Sequence, residues 1–234
     1  KGVYADVSQL EKPVEVHRAQ AMCYAWIYAQ EQKPEKIGVQ MTYGNLDTEE
    51  LKFFREEYTL EELRLWYQKL LDRYHKWIAY QLAWKKERNA SMSDLEFPFE
   101  YREGQRKIVS GVYHTISTER QIFVQAPTGV GKTMSTIFPA VRAVGAGLGE
   151  NIFYLTAKTI TRTVAEEAFS ILKEHGLKFK VITITAKEKL CFCDKTECNP
   201  ENCLWARGHL DRVNDAVFEL WTTQDSYDRD TLLE

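Results

Sequence analysis

The chain has 234 residues, of which 44% are hydrophobic and 28% are charged, so it is long enough for one large or two small domains with buried cores. Its 31 basic and 34 acidic residues give a net charge of −3, which excludes a histone-like polycation. No run of about 18 apolar residues occurs and the first residues show no signal peptide, so the composition excludes a membrane span and predicts a cytoplasmic protein.

Charge and cysteine are distributed unevenly. Residues 101–190 carry 13 basic and 7 acidic side chains, whereas residues 191–234 carry 4 and 10. The basic middle block favours a phosphate-rich partner for that part of the chain. Four of the five cysteines lie between residues 191 and 203, which favours a metal site over scattered disulfide bonds.

Residues 1–94 are predicted to be mostly helical, with one strand. Apolar side chains recur at helical spacing in residues 16–27 and alternate with polar ones in residues 36–43, which predicts a helix and then a half-buried strand. Thr59 and Glu62 have the spacing of a capping box and should begin a long, aromatic-rich helix. We interpret those aromatic side chains as packing residues, because their regular heptad spacing argues against base stacking.

Beyond a polar run that ends near Pro98, short apolar strands alternate with amphipathic helices. This pattern is typical of a parallel sheet with helices on both faces. The predicted helices cover residues 101–116, 131–144 and 159–175, and the predicted strands cover residues 121–125, 151–157 and 179–186. The sequence therefore predicts an α/β domain over residues 95–186.

The strongest motif is the loop APTGVGKT, which lies between a predicted strand and a predicted helix. Glycine at positions 129 and 131 leaves room for backbone N–H groups to surround a phosphate, and the following helix directs its positive end at the same anion. Lys132 would reach the β- and γ-phosphates of ATP and Thr133 would offer its hydroxyl to Mg²⁺, so both are predicted catalytic residues. The predicted nucleotide-binding residues are Ala126, Pro127, Thr128, Gly129, Val130, Gly131, Lys132 and Thr133.

The loop resembles motif I of superfamily 2 helicases, and its flanks resemble the XPD/DinG-like iron–sulfur helicases. Upstream, FPFEYREGQ is similar to the segment of that family whose glutamine and arginine lie near the nucleotide base, which assigns Gln105 and Arg102 to the adenine side. Downstream, IFYLTAKTITR is similar to motif Ia, which contacts single-stranded DNA. The resemblance implies a P-loop (RecA-like) domain, and it implies these DNA-binding residues: Thr156, Lys158, Thr159 and Arg162.

The clustered cysteines extend the resemblance, because the same helicases insert a cluster-binding module after motif Ia. The paired C-x2-C hooks of structural zinc sites are missing, whereas iron–sulfur clusters accept looser spacing. We therefore favour a [4Fe–4S] cluster over zinc, in a small module over residues 187–234 with Cys191, Cys198 and Cys203 as ligands. The fourth ligand is either Cys193 or a cysteine beyond residue 234. We expect Cys193 to be spare, because alternate side chains of an extended stretch point to opposite sides.

The first residues resemble the end of a PD-(D/E)XK nuclease core. In that core a strand ending in E-x-K precedes a helix that bears Q-x3-Y, and Gln20 and Tyr24 have this spacing. Lys1 would then be the lysine, with the acidic metal ligands upstream of it. The resemblance makes residues 1–94 a nuclease-like segment.

Taken together, the resemblances imply a monomeric ATP-dependent DNA helicase of DNA repair that moves 5′ to 3′ on single-stranded DNA and acts at ss/ds DNA junctions. ATP, Mg²⁺ and the cluster would be its cofactors, and no membrane would be involved. No carboxylate pair of the D-E-x-H kind and no second motor domain follow the loop, so we expect a truncated chain that is inactive alone. The alternative is a non-catalytic nucleotide- and DNA-binding module with a zinc site.

Overall fold

The computed structural model describes residues 1–157, 159–195 and 197–233. The chain divides into two compact units, Lys1–Ile78 and Ala79–Glu234. The division falls inside a long helix, whereas the sequence predicted a change of organisation where that helix ends. The predicted domains, residues 1–94, 95–186 and 187–234, stay predictions.

The first unit is built on a three-stranded sheet. Its strands are β1 (Gly2–Val3), β2 (Lys36–Asn45) and β3 (Leu51–Thr59), in the order β1-β2-β3. Strand β1 runs parallel to β2, and β2 runs antiparallel to β3 with Lys36 opposite Thr59. Helix α1 (Glu15–Gln32) packs on this sheet, and its buried face meets β2 and the start of the next helix. The side chains buried there are Met22, Ala25, Ala29, Val39 and Leu63.

Two sequence predictions for this unit are confirmed, and one is corrected. Helix α1 and strand β2 lie where the apolar spacing placed them. Strand β3 was not predicted, because it contains several charged residues. Its positions alternate between exposed and half-buried, and this alternation follows from its pairing with β2. The first unit therefore contains a sheet of three strands where the sequence predicted a single strand.

The predicted capping box begins α2 (Leu60–Ser93). The Thr59 hydroxyl accepts the Glu62 backbone N–H at 3.2 Å, and the Glu62 carboxylate accepts the Thr59 backbone N–H at 2.8 Å. Each side chain thus satisfies a backbone donor that the first turn of a helix leaves unpaired.

The second unit packs helices around α4 (Lys132–Gly145), which is buried along most of its length. Its other helices are α3 (Gln105–Ser117), α5 (Thr159–Glu174) and α6 (His209–Thr223). Strands β4 (Val181–Ile182) and β5 (Ser226–Tyr227) form a two-stranded parallel sheet. The core around α4 contains Met92, Leu95, Met134, Ile137, Phe138, Val141, Val144, Ala165, Ala168, Phe169, Leu172, Leu177 and Phe179.

The three predicted helices of this unit are present, but the predicted sheet is not formed among the described residues. Residues 121–127 and 151–156 have no regular secondary structure, and of residues 179–186 only β4 is a strand. Phe123 and Leu155 are 95% and 89% exposed. A strand is held by hydrogen bonds to a neighbouring strand, and neither segment belongs to a sheet formed by the described residues.

Within the described ranges, no helix combines the length and the apolar character that crossing a lipid bilayer requires.

Candidate functional site

The glycine-rich loop ends at the first turn of α4. Gly129 and Gly131 have φ angles of +83° and +79°, a region that favours glycine because a Cβ would be strained there. Gly131 is the N-cap of α4, and its carbonyl accepts the Ser135 backbone N–H at 3.1 Å. The unpaired N–H groups of the first helical turn therefore lie beside the loop, where an anion would be stabilised.

Lys132 closes the loop on itself. Its amino group donates to the carbonyl of Ala126 at 2.9 Å and to that of Pro127 at 2.8 Å. The positive charge thus lies within the loop, held by oxygen atoms that a phosphate would replace. Thr133 follows in the first turn of α4 and is half-buried. The predicted loop residues Thr128 and Val130 lie on either side of Gly129 in the same loop.

Helix α4 is anchored by polar contacts at both ends. The hydroxyl of Ser135, which is fully buried, donates to the Gly131 carbonyl at 2.9 Å. Near the other end, one Arg142 nitrogen donates to the carbonyls of Met92 at 3.0 Å and Leu95 at 3.3 Å, which caps the end of α2. No local sequence signal indicated Arg142, because its partners lie about fifty residues earlier in the chain.

The structure places Gln105 and Arg102 against the loop. Gln105 is the first residue of α3 and is buried, and its side-chain oxygen accepts the Arg102 backbone N–H at 3.0 Å. The Arg102 guanidinium donates to the carbonyl of Gly129. Both residues were predicted on the adenine side, and that assignment stays a prediction.

The predicted DNA-binding residues lie at the start of α5. Thr156 is exposed just before the helix, and the Arg162 guanidinium lies 3.4 Å from a carboxylate oxygen of Glu166, one turn further on. Lys158 and the side chain of Thr159 lie outside the described part of the chain. Arg162 is therefore close to an acidic residue, but its Nε makes no hydrogen bond within the described residues.

Contacts among the cysteines correct one premise of the sequence analysis. The Cys193 backbone N–H donates to Cys191 Sγ at 3.4 Å, and the Sγ atoms of Cys193 and Cys203 lie 4.0 Å apart. Residues 192–195 form bends, so the extended backbone that was expected to turn Cys193 away is not present. The ligand set Cys191, Cys198 and Cys203 stays a prediction, but the geometric reason for leaving Cys193 out is wrong.

The electrostatics of this cluster follow from its hydrogen bonds. The backbone N–H groups of Ala206 and Trp205 hold the pKa of the Cys203 thiol below its usual value. The contact with Cys203 raises the pKa of Cys193 to about 11, and a hydrogen bond with Cys198 raises the pKa of Lys187. Across the described residues, no three His, Cys, Asp or Glu side chains are arranged to hold a metal ion.

The first unit brings together the three residues of the nuclease-like pattern. The side-chain Nζ of Lys1 donates to Gln20 Oε1 at 3.0 Å, and Gln20 Nε2 donates to the Tyr24 hydroxyl at 3.3 Å. Strand β1, which begins one residue after Lys1, pairs with β2 beside α1. The sequence pattern therefore corresponds to a contiguous set of contacts.

Comparisons with known proteins point to the segment that holds the loop. Residues 102–201 match the family model of the DEAD/DEAH box helicases. A probable ATP-dependent helicase of Methanocaldococcus jannaschii is 40% identical over 47 residues, which is 20% of this chain and 7% of that protein. The chain thus spans a small fraction of that relative's length, and no solved structure matches the chain significantly. The segment with the phosphate loop is similar to a DEAD/DEAH box helicase domain, which fits a RecA-like α/β fold and supports a helicase-like, ATP-dependent function.

Proposed function

We propose that this chain binds ATP and Mg²⁺ at the loop Ala126–Thr133 and is part of an ATP-dependent DNA helicase. The observation that carries the proposal is Lys132, which is held inside a glycine-turned loop at the start of α4, within the segment that matches the helicase family. The similarity supports the reaction class, whereas DNA as the substrate and 5′ to 3′ movement are implied by resemblance.

Each part of the loop would make a different contact with the triphosphate. Lys132 would leave the carbonyls of Ala126 and Pro127 and bind the β- and γ-phosphates in their place. Backbone N–H groups between Gly129 and Gly131 would surround the same anion. Thr133 would hold Mg²⁺, which neutralises phosphate charge when bound.

The proposal predicts that Lys132→Ala loses ATP binding while the fold is kept, because the variant lacks the charge that meets the phosphates. We expect a loss of at least about tenfold, the effect of removing about 1.4 kcal/mol of charge-assisted contact. Calorimetry with MgATP measures it. Lys107→Ala, at an exposed position of α3, is the matched control. Equal ATP affinity in folded wild type and Lys132→Ala would reject the assignment of the loop.

We further propose that single-stranded DNA is contacted at the start of α5, by Thr156, Lys158, Thr159 and Arg162. The excess of basic residues between 101 and 190 supports an acidic ligand there. Such contacts to phosphate do not depend on base sequence.

The clustered cysteines support a separate proposal, that they hold a [4Fe–4S] cluster. Protein purified without oxygen should then be brown and contain iron, whereas zinc would give a colourless protein. Cys203→Ser should lose the iron. Colourless protein with stoichiometric zinc would favour the alternative of a zinc-carrying binding module. The Cys193→Ser variant identifies the fourth ligand, because this variant keeps its iron if Cys193 is not a ligand.

For the first unit we infer a nuclease-like fold, which the contacts of Lys1, Gln20 and Tyr24 support. Incubation of supercoiled plasmid and Mg²⁺ with wild type and with Lys1→Ala tests whether this unit cleaves DNA. Cleavage that Lys1→Ala abolishes would show that the described unit is active.

A further inference from the structure

A cavity of about 430 Å³ lies between α3 and α4, beside the end of α2. Its volume falls in the range of small-molecule sites, about 300–1,000 Å³. The two helices line it with arginine, hydroxyl-bearing and apolar side chains, chiefly Arg106, Ser110, Tyr113, Phe138, Pro139 and Arg142.

The cavity carries positive charge from both helices. Arg106 lines it from α3 and Arg142 lines it from α4, and among the described residues the lining contains neither aspartate nor glutamate. Neither arginine forms an ion pair with any residue that the structure describes. Two like charges that share a cavity repel each other, and an anion bound to both removes this cost.

Both guanidinium groups keep hydrogen-bond donors for such an anion. Arg142 uses one terminal nitrogen to donate to the carbonyls of Met92 and Leu95, while its Nε and its other terminal nitrogen donate to no described residue. The Arg106 guanidinium lies 5.1 Å from the centre of the Tyr101 ring and likewise donates to no residue in the described ranges. Guanidinium groups bind carboxylates and phosphates through pairs of parallel hydrogen bonds.

The remaining lining favours a ligand with an apolar body over a free ion. The Phe138 and Pro139 side chains cover part of the wall with carbon. Phe138 is held in place from behind, because its ring packs edge-on against that of Phe97 at 5.3 Å between centroids. A bare phosphate ion would leave this surface in contact with water, whereas a ring would bury it.

The cavity is separate from the phosphate loop. Arg142 follows Lys132 by ten residues within α4, which is about 15 Å along the helix axis. A phosphate group held at Lys132 is therefore too far away to contact Arg142.

We propose that this cavity is a second ligand site, which binds a small organic anion. Arg106 and Arg142 hold its carboxylate or phosphate group, and a ring-containing body packs against Phe138 and Pro139. Neither ATP nor DNA is needed for this binding.

Isothermal titration calorimetry with four probes tests the class of ligand. 1-Naphthoate and 1-naphthyl phosphate carry a ring and an anionic group, 1-naphthalenemethanol carries the ring alone, and inorganic phosphate carries the charge alone. At least one of the two naphthyl anions should bind about tenfold or more tightly than the alcohol and the inorganic ion, because a charge-assisted hydrogen bond is missing from one and the apolar contact from the other. The tighter of the two identifies the head group. Equal affinity for the alcohol, or no binding of either naphthyl anion, would overturn the proposal.

Two pairs of variants locate the bound probe. Arg106→Gln should lower its affinity about tenfold, whereas Lys107→Gln, which removes the same charge from the neighbouring exposed position of α3, should not. Ser110→Phe fills the cavity and should abolish binding. Ser110→Ala is its control, because the serine hydroxyl donates only to carbonyls of its own helix. Equal losses in Arg106→Gln and Lys107→Gln, or full binding by folded Ser110→Phe, would place the probe outside the cavity.

Lys132→Ala separates this site from the proposed nucleotide site. The variant should bind the naphthyl probes as wild type does, although it is expected to lose MgATP. Loss of probe binding in Lys132→Ala would show that the probes occupy the phosphate loop, so the second site would fall and the proposed function would stand. Wild-type protein that binds the probes but not MgATP would have the opposite meaning.

Discussion

Gly131 lies where two constraints meet, one on the backbone and one on space. Its φ of +79° is costly for a residue with a Cβ, by about 1 kcal/mol. The same φ occurs at Gly147, beyond the end of α4, where an added Cβ would meet nothing within 4 Å. The two glycines therefore have the same φ but different surroundings.

We predict that the cost of placing alanine at a positive φ lowers the melting temperature by similar amounts in Gly131→Ala and Gly147→Ala. Only Gly131→Ala should lower ATP affinity. The added methyl group at 131 must displace Gln105, which is buried and cannot move freely. Calorimetric unfolding and MgATP titration of both variants measure the two effects. Equal ATP affinity in the two variants would show that the space beside Gly131 has no role in binding.

At the scale of elements, an ionic network ties α1 to β3. Arg18 Nε lies 2.9 Å from a carboxylate oxygen of Glu56, and an Arg18 terminal nitrogen donates to the Tyr58 hydroxyl at 2.8 Å. Tyr58 also donates to Glu56. Burial, and then the hydrogen bond to Glu56, raise the pKa of Tyr58 to about 12.

This pKa predicts loss of stability at alkaline pH. The pKa of Tyr58 in the folded protein lies above that of an unfolded tyrosine, which is about 10. The neutral phenol therefore stabilises the fold below pH 10, and this stabilisation is lost as the pH rises towards 12. Urea unfolding between pH 9 and pH 12 should therefore show a steeper decline in wild type than in Tyr58→Phe. Tyr28→Phe, at an exposed position of α1, controls for the missing hydroxyl. Parallel declines in all three proteins would contradict the assignment.

The elements also show what local sequence can predict. Helices α1, α4 and α5 follow from apolar side chains that recur every three or four residues, and the start of α2 follows from Thr59 and Glu62. The segments at 121–127 and 151–156 have strand-like composition but are not strands, because pairing depends on a partner that composition does not specify. Strand β3 is the opposite case, because it forms a strand by pairing with β2 although its side chains are largely charged.

The sequence predicted the residues of the candidate site but not the contacts among them. The loop motif located Lys132, Gly129 and Gly131, because their roles follow from residue type and spacing alone. The bonds from Lys132 to the Ala126 and Pro127 carbonyls depend on how the loop folds back on itself, and the bond from Arg102 to Gly129 depends on how the turn before α3 meets the loop. A linear pattern does not contain that geometry.

For the whole molecule, the uneven charge distribution predicts where nucleic acid binds. Arg162 lies in the basic block, and Arg229 lies in the acidic C-terminal block, where it donates to the Lys189 carbonyl at 3.2 Å. Both carry one positive charge, so reversing either changes the net charge equally. Their positions alone distinguish them.

We predict that Arg162→Glu weakens binding of a single-stranded oligonucleotide more than Arg229→Glu does. Removing one phosphate contact should also reduce the slope of log affinity against log salt concentration by about 0.7. Fluorescence anisotropy over a series of salt concentrations measures both quantities. Equal losses in the two variants would mean that only the net charge of the chain matters.

The exposed segment around Phe123 has a consequence for the chain in concentrated solution. Residues 121–125 are rich in β-forming side chains and contain no proline and no charge, while their backbone lacks a neighbouring strand among the described residues. Such a segment can pair with the same segment of another molecule, which is how ordered aggregates begin. The lifetime of the chain in solution should therefore fall as its concentration rises, even though its helical core is well packed.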